Sequence, residues 1–206
     1  MTTNGLDQPK RVSVEEYLAN EARAEYKSEY HNGIVVPVHR RVNEQGEIVA
    51  MAGAQPTHNL LVARLGGLLN LCLDNTDCFV FASDQLVFTP DCAKYHYPDL
   101  SIACKKPEFE KHTNGLDALL NPSIIIEVLS GSTEGYDRGE KFRCFRTLPS
   151  LEQYVLVNAS EKGIETFTRQ DEKHWLMTSA REPDEKVKIG SCEFTVGEIY
   201  RKVFLE

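Results

Sequence analysis

Hydrophobic residues along this chain change their spacing several times, and each change predicts a new element. Val14, Tyr17, Leu18 and Ala22 recur at helical intervals behind a capping box of Ser13 and Glu16, with Val12 and Tyr17 placed as a hydrophobic staple. This predicts a first helix that runs to about Tyr30 and ends at the His31-Asn32-Gly33 turn. Ile34–Val38 and Glu47–Met51 read as two strands of one hairpin, with the polar stretch 39–46 as a tip carrying His39, Arg40 and Arg41. Leu60, Leu61, Leu65, Leu68, Leu69 and Leu71 then mark a second helix over Thr57 to Asp74.

Three strands are predicted next, at Phe79–Phe88, Tyr97–Cys104 and Ile124–Leu129, followed by a helix over Gly135 to Leu148 and a strand at Gln153–Asn158. Ile164–Arg169, Trp175–Thr178 and Lys186–Ile189 read as an antiparallel meander, and Val196–Tyr200 as a short terminal helix. With no internal repeat or low-complexity linker, the pattern describes one α/β (α+β) domain over residues 1–206: a central mixed sheet flanked by helices, with residues 1–11 flexible.

Three charged residues break this pattern. Ile124-Ile125-Ile126-Glu127-Val128-Leu129 is apolar on both faces except at Glu127, as in a sheet-centre strand. A carboxylate there costs several kcal/mol, by roughly the usual desolvation figure, unless a cation or good donors meet it. The bland alternative is a strand-end salt bridge. Asp99 follows Pro98 at a strand start, where alternation sets Asp99, Ser101 and Ala103 on one face. Lys141 shares a helical stripe with Cys144, Phe145 and Leu148, so it stands where an apolar residue belongs; it either snorkels outward or reaches an internal anion. Two carboxylates from adjacent strands can hold Mg²⁺ through oxygen, and a lysine beside them can orient a water or offset transition-state charge.

Composition narrows the classes. A hydrophobic content of 41% with 26% charged residues is that of a globular domain, and no apolar run is long enough to span a bilayer. With no signal-peptide core in MTTNGLDQPK, a cytoplasmic location is expected. The six cysteines form no C-x-x-C pair and no zinc-finger spacing, which favours buried free thiols in a reducing compartment. A net charge of −8 argues against a tight, non-specific DNA coater, but it does not exclude local phosphate binding. Ser130 to Lys141 lacks P-loop spacing, and neither a G-x-S-x-G elbow nor an H-E-x-x-H motif occurs.

Tyr97-Pro98-Asp99, Ile126 to Thr133 and Tyr136 to Phe142 together resemble the Uma2 family (DUF820), restriction-endonuclease-like proteins of the PD-(D/E)xK nuclease superfamily. Glu29-Tyr30-His31-Asn32-Gly33, Ala50 to Ala54, His58-Asn59, Ser83-Asp84 and Leu148 to Tyr154 extend the likeness, in order, over most of Ser13 to Val203. The resemblance implies a restriction-endonuclease-like core, a site for Mg²⁺ or Mn²⁺, nucleic acid (DNA) as partner and substrate, and a homodimer, while the lack of a bilayer-length apolar run argues for no membrane association. It places Asp99 and Glu127 on the metal-binding acids, Lys141 on a lysine moved from the strand to the next helix, and Glu29 on an acid at the first helix's end that is a further ligand or acts through water. Asp84 and His58 match recurring positions and are candidates for supporting those ligands. Two departures stand out: about a dozen extra residues lengthen the hairpin before Ala50, as variable loops do, and Gly131 replaces a usual proline. The expected function is Mg²⁺-dependent endonucleolytic hydrolysis. The alternative is a non-catalytic nucleic-acid- or protein-binding module that keeps the fold.

Overall fold

The computed structural model describes residues 11–42, 48–50, 53–113, 115–131 and 133–205; most of the expected flexible N-terminus and the extreme hairpin tip lie outside them. The first helix stops earlier than its periodicity suggests. Helix α1 is Val14–Glu21, begun by the Ser13 side chain accepting from the Glu16 N–H. Strands β1 (Ser28–His31) and β2 (Ile34–Pro37) follow as an antiparallel pair. Asn32 and Gly33 both take positive φ, 49° and 95°, the backbone that a two-residue hairpin demands. Turn chemistry thus claims residues that helical spacing also fitted, and Glu29 sits on a strand instead of a helix end.

The next hairpin also pairs differently from expectation. Strands β3 (Arg40–Val42) and β4 (Ile48–Ala50) pair with each other, while Ile34–Pro37 turns back on β1. Helix α2 (Pro56–Leu73) has proline in its first turn and buries Leu61, Leu65, Leu69 and Leu73 along one stripe. Then come β5 (Cys78–Ala82), β6 (Val87–Thr89), a 3₁₀ turn Pro90–Cys92, β7 (Lys94–His96), β8 (Leu100–Cys104), β9 (Phe109–Glu110), β10 (Ala118–Leu119) and β11 (Ile124–Leu129). Each of the two long strands expected over 79–88 and 97–104 is thus shorter, because the chain turns between sheets.

After β11 the chain passes through α3 (Glu134–Tyr136), a π-helical turn (Asp137–Lys141) and α4 (Phe142–Phe145) to β12 (Gln153–Asn158). It ends with β13 (Ile164–Arg169), β14 (Trp175–Ala180), β15 (Lys186–Ile189), β16 (Cys192–Thr195) and α5 (Val196–Ile199).

Two mixed six-stranded sheets result, ordered β14-β13-β12-β11-β8-β5 and β2-β1-β7-β6-β10-β9. β13 and β14 continue antiparallel from β12, whereas β15 leaves that sheet to pair with β16. The β11–β12 pair is parallel, so its connection crosses over one sheet face. Ile124, Ile126 and Val128 pack under α2, while Ile125 and Leu129 join Phe145, Leu148 and Tyr154 on the other face. Val87 and Leu119 of the second sheet belong to that same cluster, which brings the two sheets together.

The cysteines overturn the free-thiol expectation. Cys72–Cys192, Cys78–Cys104 and Cys92–Cys144 are disulfides, joining elements that spacing alone leaves unrelated. The thiol argument for a reducing compartment therefore falls away. Among the described residues no helix is long and apolar enough to cross a membrane.

Candidate metal centre

Alternation along β11 turns Glu127 toward the crossover helix, on the face of Ile125 and Leu129, and leaves it 3% exposed. β8 runs antiparallel beside it with Leu100 opposite Ile126, so one further step sets Asp99 against Glu127. Asp99 Oδ2 accepts the Val128 N–H at 2.7 Å. His58 Nε2, from the first turn of α2, lies 3.1 Å from Asp99 Oδ1 and 3.2 Å from Oδ2.

Lys141 closes the site from above. The π-helical turn buries both Asp137 and Lys141, four residues apart on one side; such turns inside helices often occur at functional sites. The Lys141 ammonium stands 2.9 Å from Glu127 Oε1, 3.2 Å from Glu29 Oε1 and 3.7 Å from Asp137 Oδ1. At 2.9 Å the Glu127 contact is a buried ion pair with the Lys141 ammonium. Glu29 Oε1 also accepts the Tyr97 N–H at 3.2 Å, while Oε2 faces His31 and His96.

All of these acids line one cavity of about 490 Å³, together with Lys141 and His58. Three carboxylates, those of Glu29, Glu127 and Asp137, thus share one buried ammonium, while Asp99 pairs with His58 in the same cavity. The imbalance shows in their protonation. Burial, then Asp137 and Asp99, push the Glu127 carboxyl well above its ordinary range, against the pull of Lys141. Burial also raises Asp137. For Glu29, burial works upward, but Lys141 and the two histidines outweigh it and hold the carboxyl well below its usual value. Burial disfavours the Lys141 charge, yet Glu127, Glu29 and Asp137 keep it strongly cationic.

Asp99, Glu127, Lys141, Glu29 and His58 are thereby brought together. Asp84 is not among the residues lining the cavity. Its side chain is 89% exposed and pairs with Lys27 at 2.8 Å. The sequence reading missed Asp137, His31, His96 and Tyr136. The i to i+4 spacing of Asp137 and Lys141 was a signal for the first, and Glu29-x-His31 on an alternating strand was one for the second.

A family model described as "Putative restriction endonuclease", Uma2, matches residues 43–192. The chain belongs to the Uma2 family. The family resemblance drawn from its motifs is therefore borne out. Two uncharacterized Synechocystis sp. proteins are similar to this Uma2 chain. One, sll1609, is 34% identical over 82% of this chain and 87% of its own length. The other, slr1290, is 33% identical over 93% and 92%. The crystal structure of a "putative nuclease belonging to DUF820" from Anabaena variabilis superposes with a TM-score of 0.66 at 17% identity, covering 94% of this chain and 99% of that one. That likeness establishes the restriction-endonuclease-like fold expected for this Uma2 member.

Proposed function

We propose that this protein is a metal-dependent endonuclease that hydrolyses nucleic-acid phosphodiester bonds, with DNA as substrate and Mg²⁺ or Mn²⁺ as its ion. One observation carries the reading: Asp99 and Glu127 face each other across neighbouring strands, beside a buried lysine that the acids outnumber. Oxygen donors without thiolates suit a hard divalent cation, and Glu127 Oε1, paired with the Lys141 ammonium at 2.9 Å, is a buried carboxylate oxygen among them.

Asp99 and Glu127 would hold the ion. When bound, it supplies Lewis acidity and lowers the pKa of a coordinated water. The Val128 N–H and His58 orient Asp99, as supporting groups do for metal-bound carboxylates. Lys141 offers its donors to a water or a phosphoryl oxygen in the cavity. Glu29, suggested by the resemblance as a further ligand, acts in this reading through Lys141, whose ammonium touches both Glu29 and Glu127. The N-terminal turn of α2 adds an anion-friendly wall: Gln55, Thr57 and His58 line the cavity, and that turn holds no acidic residue.

The test is Mg²⁺-dependent cleavage of plasmid DNA by the wild type and by Asp99→Ala and Lys141→Ala. Loss of cutting in both, with circular dichroism retained, is expected; undiminished cutting in both overturns the assignment. A non-catalytic binding module is the second reading, favoured by the net charge of −8, and it predicts no Mn²⁺ uptake at all.

A further inference from the structure

The other oxygen of Glu29 faces a different group of donors. Glu29 and His31 lie on one face of β1, two residues apart. β7 runs antiparallel beside β1 with Tyr95 opposite Tyr30, and the next step places His96 opposite Glu29. Tyr136, at the end of α3, stacks on the His31 ring with centroids 5.2 Å apart.

His31 Nε2 is 3.0 Å from Glu29 Oε2 and 3.0 Å from the Tyr136 hydroxyl. His96 Nδ1 is 3.5 Å from each of the same two oxygens. An imidazole nitrogen carries one proton or one lone pair, so neither can fully bond both oxygens. A cation among the four atoms meets all of them at once. Tetrahedral ligands at metal distances of roughly 2.0–2.2 Å stand about 3.4 Å apart, close to the separations of 3.0 and 3.5 Å observed here. The glutamate and histidine donor atoms all lie within 4.8 Å of one another.

We propose that Glu29 Oε2, His31 Nε2, His96 Nδ1 and the Tyr136 hydroxyl form a second metal site, for a nitrogen-preferring divalent transition metal such as Zn²⁺ rather than Mg²⁺. Imidazole ligands select for zinc and its neighbours, whereas an all-oxygen set suits magnesium. Glu29 then bridges the two groups, with Oε2 on this metal and Oε1 3.2 Å from the Lys141 ammonium. The site does not depend on the nuclease reading, because none of its nitrogen donors belongs to the Asp99–Glu127 pair.

The test is calorimetric titration of metal-stripped full chain with Zn²⁺ in excess Mg²⁺, alongside the visible spectrum of the Co²⁺-loaded protein. One equivalent of Zn²⁺ is expected, with the intense bands of four-coordinate Co²⁺. Affinity should fall on the order of tenfold or more in His31→Ala and His96→Ala and hold in Asp99→Ala. Zinc binding that is absent, that survives both histidine substitutions, or that Asp99→Ala alone abolishes overturns the proposal. Should His96→Ala fail to fold, His31→Ala and the wild-type cobalt spectrum still decide, since weak six-coordinate bands also overturn it.

Discussion

The Lys141 ammonium lies 2.9 Å from Glu127 Oε1, although one residue is on a helix and the other on the strand before it. Topology produces the contact. β11 and β12 are parallel neighbours, so the chain between them must cross back over the sheet face that holds Glu127. The π-helical turn then sets Asp137 and Lys141 together above that face.

Removing this ammonium leaves Glu29, Glu127 and Asp137 buried without their shared cation. Lys141→Met is expected to destabilise the metal-free protein by about 3 kcal/mol, in the range for breaking a buried pair. Urea unfolding measures it, and a loss below about 1 kcal/mol, the exposed-pair range, would show that the cluster is not electrostatically coupled.

His58 touches both oxygens of Asp99, while its buried Nδ1 meets no hydrogen-bond partner among the described residues. His58→Ala is expected to weaken Mn²⁺ binding by roughly 10–100-fold, as loss of a supporting partner does. Isothermal calorimetry checks this, with unfolding measured in parallel to separate affinity from stability.

Metal binding at Glu127 should respond to pH. Burial, then Asp137 and Asp99, raise this carboxyl above its ordinary 4.5 against the pull of Lys141, so below its folded-state value the ion must displace a proton. Mn²⁺ affinity is therefore expected to climb as pH rises through the folded-state value and to level off above it. In the metal-free protein the sign reverses. A carboxyl raised on folding contributes stability below its unfolded pKa and loses it as pH climbs through the folded one. Glu29, held low mainly by Lys141 against burial, contributes above 4.5 and loses its share as pH falls. Calorimetry in buffers of different ionisation enthalpy counts the proton; Mn²⁺ affinity and proton release that do not change with pH would contradict the assignment.

The pairing of Cys92 with Cys144 ties the 3₁₀ turn before β7 to helix α4, three residues beyond Lys141. Its sequence separation of 52 corresponds to about 4 kcal/mol in the chain-entropy account of cross-linking. Reductant is expected to lower the unfolding midpoint. Thiol titration of the unreduced, denatured chain should find no free cysteine, and a full complement of thiols would refute the pairing.

Local pattern made several elements legible in full. β11, β12 and β13 have the boundaries their apolar runs predict, because a strand buried on both faces or alternating between them announces itself. The buried stripe of Lys141, Cys144, Phe145 and Leu148 likewise follows helical spacing. Helical spacing overruns the first helix because Glu21 to Tyr30 fits it as well, while Asn32-Gly33 dictates a hairpin only when its strands find partners. The same sharing of one segment between two sheets hid the breaks after Ala82 and His96.

By itself the sequence determined the second helix and the strands from β11 to β13, the anomalous charges at Asp99, Glu127 and Lys141, and the family, since burial periodicity and motif order are properties of the chain. Only the tertiary structure decided that Glu29 leaves the helix, that Asp137 and Tyr136 line the cavity while His31 and His96 meet Glu29 and Tyr136, and that the cysteines pair. Those outcomes depend on strand register and crossover direction, which bring distant residues within a few ångströms and leave no mark on local spacing.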